Sequence, residues 1–281
     1  FLQESNAIRD TKYPHAIVLG GKQSKYMKKA KMFFSKMHPN VPIVITNFQT
    51  AEMIKYANNS FLATKISFIN QLSNICQNIP GTNIDDVAKI IGLDPRIGKL
   101  FLNAGPGYGG SCLPKDISAL INFAGKIGVN PILLNAVKKT NHEQVNNIVS
   151  LMKKILGDIT AKRITVLGTA FKPNTDDIRD SKSIELIKKL LKNKAKITIH
   201  DPKAIENTKK IFGKKILYAK SISDALNKSQ CVIIMTHWKQ YDTLNNNSIK
   251  QMNRKIIIDC RRVLVKKELD AKYYAIGIGK S

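Results

Sequence analysis

Arg163-Ile-Thr-Val-Leu-Gly168-Thr-Ala-Phe171-Lys172-Pro173 decides the fold class of the C-terminal half. Its apolar and β-branched core, ended by a glycine, reads as a buried strand running into a loop. A break at Gly157-Asp158 just before it marks the change from helical to extended period. Beyond it, Ser183–Lys192 reads as a helix and Ala195-Lys-Ile-Thr-Ile-His-Asp201 as a second strand. A short helix over Ser221–Asn227 follows, then strands Gln230-Cys-Val-Ile-Ile-Met-Thr236 and Lys255-Ile-Ile-Ile-Asp259. Strands alternating with helices predict a doubly wound, parallel α/β sheet domain. Gly168 sits where a Rossmann fingerprint would start, yet Gly-Thr-Ala-Phe-Lys-Pro lacks GxGxxG. Asp201 ends the next strand 33 residues later (201 − 168), whereas a ribose-binding acid is expected after about 20.

The pattern upstream is helical. Thr46 to about Asn78 has no Gly or Pro, and Met53, Ala57, Phe61, Ile66, Ile69, Leu72 and Ile75 recur at helical spacing. A helix of about 30 residues spans about 45 Å, longer than one small domain needs. Further helices are predicted over Thr82–Ile91, Ile117–Ile127 and Pro131–Leu156. Before the long helix, His15–Gly21 and Pro42–Ile45 read as strands and Ser24–Lys36 as a helix. The fold class is therefore α/β, a long central helix and helical domain followed by a Rossmann-like domain. The predicted boundaries are 1–47, 48–157 and 158–281.

The 281 residues, 43% of them hydrophobic, suffice for more than one buried core. No run approaches the roughly 18–20 apolar residues of a membrane span, and no signal peptide is visible, so the cytoplasm is the expected setting. Cys76, Cys112, Cys231 and Cys260 form no CxxC pair, and the five histidines form no metal signature, so no metal is expected. Cys76, Cys231 and Cys260 read as small apolar residues. The net charge of +26 raises nucleic-acid binding. The lysines, however, are spread along the polar sides of amphipathic stretches, so no nucleic-acid partner is expected; such a field suits a small anionic ligand.

The loop Gly105-Pro-Gly-Tyr-Gly-Gly-Ser-Cys112-Leu-Pro-Lys115-Asp116 is the richest in chemistry. Its glycines let backbone bend sharply or approach a ligand. Pro114 suits the first turn of a helix. A helix starting there places Cys112 near its positive end, with Lys115 close by, and both favour a nucleophilic thiolate. Asp116, one turn on, is placed to hold a water or orient a lysine. Taken alone, a Gly-rich loop with one cysteine is more often structural; the coincidence of Gly, Cys, Lys and Asp reverses that.

This loop resembles the active-site loop of the UDP-glucose/GDP-mannose dehydrogenase family, whose GxGxGGxCxPKD-like run carries the catalytic cysteine. The resemblance continues, in order, through Ala51-Glu-Met-Ile-Lys55-Tyr-Ala-Asn-Asn59, Asp94-Pro-Arg96-Ile-Gly98, Gly168 to Arg179 and Ile258-Asp-Cys-Arg261, over essentially all of the chain. It departs at His237, where many members carry Glu, and at Cys260, where a glycine is common.

The resemblance implies oxidation of a nucleotide sugar C6 alcohol to the carboxylate with two NAD, through a thiohemiacetal and a thioester on Cys112. Cys112, Lys55, Asn59 and Asp116 are the implied catalytic residues. Phe1, Leu2, Glu4, Lys55, Asn59, Arg96, Phe101, Asn103, Gly107, Tyr108, Gly109, Phe171, Lys172 and Arg261 are implied at the nucleotide sugar. Of these, Lys172 and Arg261 would grip the diphosphate, and Arg96 would enter the site of a partner subunit. Glu4, Cys112, Lys115 and Arg179 are implied at NAD. The long helix over 46–78 is implied to pair with its twin in a homodimer. UDP-glucose is the expected substrate, because Ser-Cys-Leu-Pro-Lys-Asp looks more like the glucose enzymes. GDP-mannose and UDP-N-acetylhexosamines are the alternatives, and a non-catalytic dimeric nucleotide-sugar-binding module is the competing class. The family's GxGxxG domain is expected upstream of Phe1, with residues 1–47 as its end, so this chain alone is expected to bind without turnover.

Overall fold

The computed structural model describes residues 6–265 and 267–279. Phe1, Leu2 and Glu4, implied at the ligand, lie outside the described residues. The chain forms two compact units, residues 1–61 and 62–281.

In the first unit, α1 (Ala7–Lys12) precedes β1 (Ile17–Gly20), α2 (Lys25–Met37) and β2 (Ile43–Thr46). The two strands pair in parallel, Ile17 opposite Ile43. Ser24 caps α2 by accepting from the Met27 N–H at 3.2 Å, satisfying one of the donors a helix start leaves open. The long helix α3 (Phe48–Cys76) begins here and continues from Leu62 in the second unit.

The second unit continues with α4 (Ile84–Ile91), α5 (Leu113–Lys126) and α6 (Ile132–Leu156). Then come β3 (Arg163–Leu167), α7 (Lys182–Lys192), β4 (Lys196–His200), α8 (Ile205–Phe212) and β5 (Leu217–Tyr218). The chain closes through α9 (Ile222–Leu226), β6 (Cys231–Ile234), α10 (Asn246–Ile249), β7 (Ile256–Asp259) and β8 (Lys272–Ala275). Every strand pair is parallel, and the order is β5-β4-β3-β6-β7-β8. Numbered within the sheet this is 3-2-1-4-5-6, the Rossmann order, with its switch point between β3 and β6. The anticipated doubly wound sheet is present.

Both faces of this sheet are covered, which is why its central strands read as unbroken apolar runs. Alternate residues point to opposite faces. Ile164, Val166, Ile233, Ile256 and Ile258 pack with Ile148 and Met152 of α6 and Ile187 and Leu190 of α7. Leu167, Val232, Ile234 and Ile257 pack on the other face with Leu226, Trp238, Tyr241 and Ile249. Cys231 and Cys260 belong to the first core and Cys76 to a third core, with Ile69 and Ile84, so all three are the buried apolar residues expected.

Arg262 ties the sheet to the helical part of the unit. Its Nε bonds Asp85 at 2.8 Å and its Nη2 bonds the Ala104 carbonyl at 2.9 Å. Gln77, near the end of α3, holds both the Gly277 N–H (2.8 Å) and the Ile278 carbonyl (3.1 Å). Among the described residues no helix is long and apolar enough to cross a membrane.

Candidate functional site

Ligands of open α/β sheets bind outside the carboxyl ends of the strands at the switch point. The segments leaving β3, β6 and β7 there are Gly168–Lys172, Met235–His237 and Cys260–Arg262. Phe171, Lys172, His237 and Arg261 from them line a cavity of about 870 Å³. Facing them across it are Phe101, Asn103 and the glycine loop at Gly105, Gly107, Tyr108 and Gly109. A cavity of this size falls in the range that takes a small-molecule ligand.

The Arg261 side chain is anchored at its base. Its backbone N–H donates to Asp259 Oδ1 and its Nε to the Met235 carbonyl, at 2.9 and 2.8 Å. Burial lowers the guanidinium pKa to about 10, which leaves it a cation at neutral pH. The Lys172 ammonium lies over the Phe171 ring, 5.5 Å from its centroid. The cavity lining carries Lys172 and Arg261 beside Lys89, Lys99 and Arg262, and Arg261 offers a planar fork suited to phosphate oxygens.

Buried amides hold the glycine loop. The Asn141 side chain accepts the Tyr108 N–H at 2.8 Å and donates to the Tyr108 carbonyl at 3.0 Å. Asn70 accepts the Gly105 N–H at 2.8 Å, and Gln144 donates to the Gly105 carbonyl at 2.9 Å. Gly110 has φ +85°, donates its N–H to the Arg179 carbonyl at 2.9 Å, and has no room for a side chain. A Cβ there would sit 2.6 Å from the Phe171 ring. Phe101 is a bulky residue at φ +64°, a strained conformation of the kind that collects at binding sites.

The loop delivers Cys112 to the start of α5, with Pro114 in the first turn and the Asp116 N–H donating to the Cys112 carbonyl at 2.9 Å. Cys112 is exposed, whereas the other three cysteines are buried. Its neighbour Leu113 lines the cavity. Asp116 is buried, with the exposed Lys115 ammonium 3.5 Å away.

Within the second unit, Arg96 and Arg179 are not among the residues lining this cavity. Arg96 is 87% exposed and its guanidinium is paired with Asp94, the shortest bond being 2.6 Å. Arg179 pairs with Asp177 at 2.7 Å and lines a second cavity of about 440 Å³ that Pro114 also borders. Lys55 and Asn59 stand one turn apart on α3 within the first unit, Asn59 being buried.

The turn after β3 does not fit a dinucleotide pyrophosphate. Its Thr169 and Ala170 N–H groups are taken by Asp201 Oδ2 at 2.6 and 3.0 Å, and Trp238 Nε1 donates to the same oxygen at 3.2 Å. The other carboxylate oxygen accepts from the Lys203 and Ala204 N–H groups. Asp201 thus closes the turn from within the sheet. His237, noted only as a departure, lines the cavity with Nε2 2.8 Å from Asp242 Oδ1.

Sequence comparison agrees with this geometry. Residues 49–143 match the profile of the UDP-glucose/GDP-mannose dehydrogenase family, central domain, and residues 165–266 that of the same family's UDP binding domain. The chain belongs to the UDP-glucose/GDP-mannose dehydrogenase family. It is 40% identical to the UDP-glucose 6-dehydrogenase of Rickettsia felis over 285 residues, covering 99% of this chain and 63% of that protein. The Bacillus subtilis UDP-glucose 6-dehydrogenase YwqF shows the same identity and the same two coverages over 283 residues. A UDP-glucose dehydrogenase structure from Pyrobaculum islandicum superposes with a TM-score of 0.89 at 34% identity, covering 99% of this chain and 62% of that one. The chain thus spans less than two thirds of the length of these family members.

Proposed function

We propose that the chain is the nucleotide-sugar-binding and thiol-bearing part of an NAD-dependent dehydrogenase that oxidises UDP-glucose to UDP-glucuronate in the cytoplasm. The observation that carries this reading is the meeting of Lys172, Arg261 and the glycine loop on one cavity, beside an exposed thiol at a helix start. The proposed division is 1–47 as the end of the dinucleotide domain, 48–157 as the helical catalytic part and 158–281 as the nucleotide-sugar domain. The names of the relatives favour uridine and glucose over the alternatives.

In this reading Arg261 and Lys172 bind the diphosphate, and Phe101, Asn103, Gly107, Tyr108, Gly109 and Phe171 shape the pocket for the rest of the nucleotide sugar. Lys55 and Asn59 are donors to the C6 oxygen as charge develops there, a role in which preorganised groups act strongly. The Cys112 thiolate adds to the C6 aldehyde carbon, and the former carbonyl oxygen takes a proton. Loss of the C6 hydrogen as hydride, and of that hydroxyl proton, leaves the thioester. Water, positioned with the help of Asp116, breaks the carbon–sulfur bond to give the carboxylate and the free thiol. NAD, when bound, supplies the acceptor for the two hydrides. The exposed cations Lys115 and Arg179, on residues flanking the glycine loop, suit its anionic pyrophosphate; the turn at Gly168 does not.

The helix over 46–78 is the proposed dimer element, which brings Arg96 to a partner's site. Phe61, Phe68 and Ile75, seven residues apart on α3, are 66%, 53% and 51% exposed. An apolar seam of this spacing suits a closed two-fold contact.

Isothermal titration of this chain with UDP-glucose and GDP-mannose tests the reading. Binding of UDP-glucose in preference to GDP-mannose is expected. Tighter binding of GDP-mannose refutes the substrate, and binding of neither refutes the site.

A further inference from the structure

The glycine loop meets the cavity's arginine at Gly105. A Cβ on Gly105 would lie 2.8 Å from Arg261 Nη1, so this residue's backbone is the wall against which the guanidinium rests. Both of its backbone groups are claimed by buried amides, the N–H by Asn70 and the carbonyl by Gln144. Gln144 is 2% exposed, and leaving the polar atoms of an amide so deeply buried without partners is costly.

The far end of the Gln144 side chain is braced from the next helix. Its Oε1 accepts from Asn74 Nδ2 of α3 at 2.7 Å and from Asn147 Nδ2, one turn further along α6, at 3.4 Å. Its Nε2 donates to the Gly105 carbonyl at 2.9 Å. Turning the amide over would set Oε1 against that carbonyl. The Gly105 carbonyl can only accept, so Nε2 must face it and Oε1 is left to the two asparagines.

We propose that Gln144 is a positioning residue for nucleotide-sugar binding, acting through Gly105 on Arg261, and that Asn74 braces it from the next helix. The relay runs from the α3–α6 groove to the arginine by four named groups: Asn74, Gln144, Gly105 and Arg261. It rests on the nucleotide-sugar reading of the cavity. None of the three amides reaches the ligand; they fix the backbone that seats the residue that does. Gly105 is the loop residue that meets Arg261, the group assigned to the diphosphate, so the relay is expected to act on UDP-glucose rather than on uridine.

A double-mutant cycle on this chain tests the relay, read by titration calorimetry with UDP-glucose and with uridine. Gln144→Leu is expected to weaken UDP-glucose about tenfold and Asn74→Ala about threefold, with uridine unchanged in both. The double variant is expected to be no weaker than Gln144→Leu, because Asn74 acts only through Gln144. Additive losses, an Asn74→Ala variant that binds like the parent, or equal losses for uridine would each overturn the relay. Should Gln144→Leu fail to fold, Asn74→Ala decides alone. Amide hydrogen exchange at Gly105 and Tyr108, measured without ligand, separates the relay from the nucleotide reading. Exchange about tenfold faster in Asn74→Ala than in the parent, with β6 amides unchanged, supports the relay even if the parent binds no UDP-glucose. Unchanged exchange overturns it.

Discussion

Arg261 Nε donates to the Met235 carbonyl at 2.8 Å, so the arginine leaving β7 is braced by the segment leaving β6. That bond takes one of the five N–H donors of the guanidinium. Lysine offers a point charge without the planar fork. Arg261→Lys is therefore expected to weaken UDP-glucose binding by about tenfold or more, with little change in the urea midpoint. Titration calorimetry beside a urea curve checks both; unchanged affinity would remove Arg261 from the diphosphate.

Gly110 carries the closest contact between the loop and the β3 segment. An alanine there combines φ +85° with a Cβ 2.6 Å from the Phe171 ring. Strain of that kind costs on the order of 1–3 kcal/mol. Gly110→Ala is expected to lower unfolding stability by about that amount and to displace Phe171 from the cavity wall. Urea denaturation gives the first and calorimetric affinity the second. A variant with parental stability would mean that the loop is looser than its contacts indicate.

Asp201 accepts from four backbone N–H groups at 2.6–3.0 Å and from the Trp238 indole at 3.2 Å. Asparagine keeps the shape but turns one acceptor into a donor facing donors. Asp201→Asn is expected to cost about 2–3 kcal/mol, since a buried group left mismatched forfeits its full solvation. The cost should appear in urea unfolding of this chain, and a loss below about 0.5 kcal/mol, the range of ordinary surface changes, would contradict the role given to this carboxylate.

His200 gives stability a pH dependence. The Tyr241 hydroxyl donates to the His200 carbonyl at 2.8 Å, so at 3.1 Å it accepts from Nδ1–H of a neutral imidazole. Burial lowers the His200 pKa below 6.5, and the charges of Asp201 and Asp224 only partly offset this. The unfolded chain then binds the proton more readily, so stability present above about 6.5 is lost as pH falls below that value. Urea midpoints between pH 7.5 and 5.5 should fall, and should fall less in His200→Gln. Parallel slopes in the two proteins would assign the loss to other groups.

The parts of the fold legible in the sequence are those with continuous burial. β3, β6 and β7 are covered on both faces and read as apolar runs. β5 has two residues and β8 is an edge strand of Lys272, two tyrosines and one alanine, so neither offers a run to read. Cys112 stood out as a cysteine in a glycine-rich loop, and Lys172 and Arg261 were named by the family resemblance. Asn70, Asn141 and Gln144 were not legible. On a helix face an amide reads as an interruption of the apolar stripe, and only the folded loop shows the backbone groups it answers. Their one sequence signal is spacing, with Asn141 and Gln144 three apart on the buried side of α6. The role of Asp201 was hidden for a similar reason: its distance from Gly168 argued against a ribose acid, but gave no hint of the turn it closes.

The central claim joins the nucleotide-sugar cavity to a reactive thiol, and differential alkylation tests that link most directly. Cys112 is exposed at the start of α5, whereas burial pushes the Cys231 thiol up to about 12, raises that of Cys260, and encloses Cys76. Limited iodoacetamide treatment near neutral pH, followed by peptide mapping, should label Cys112 first, and saturating UDP-glucose should slow that labelling while uncharged glucose does not. Equal labelling of Cys76 or Cys231, or a Cys112 rate indifferent to UDP-glucose, would contradict the account.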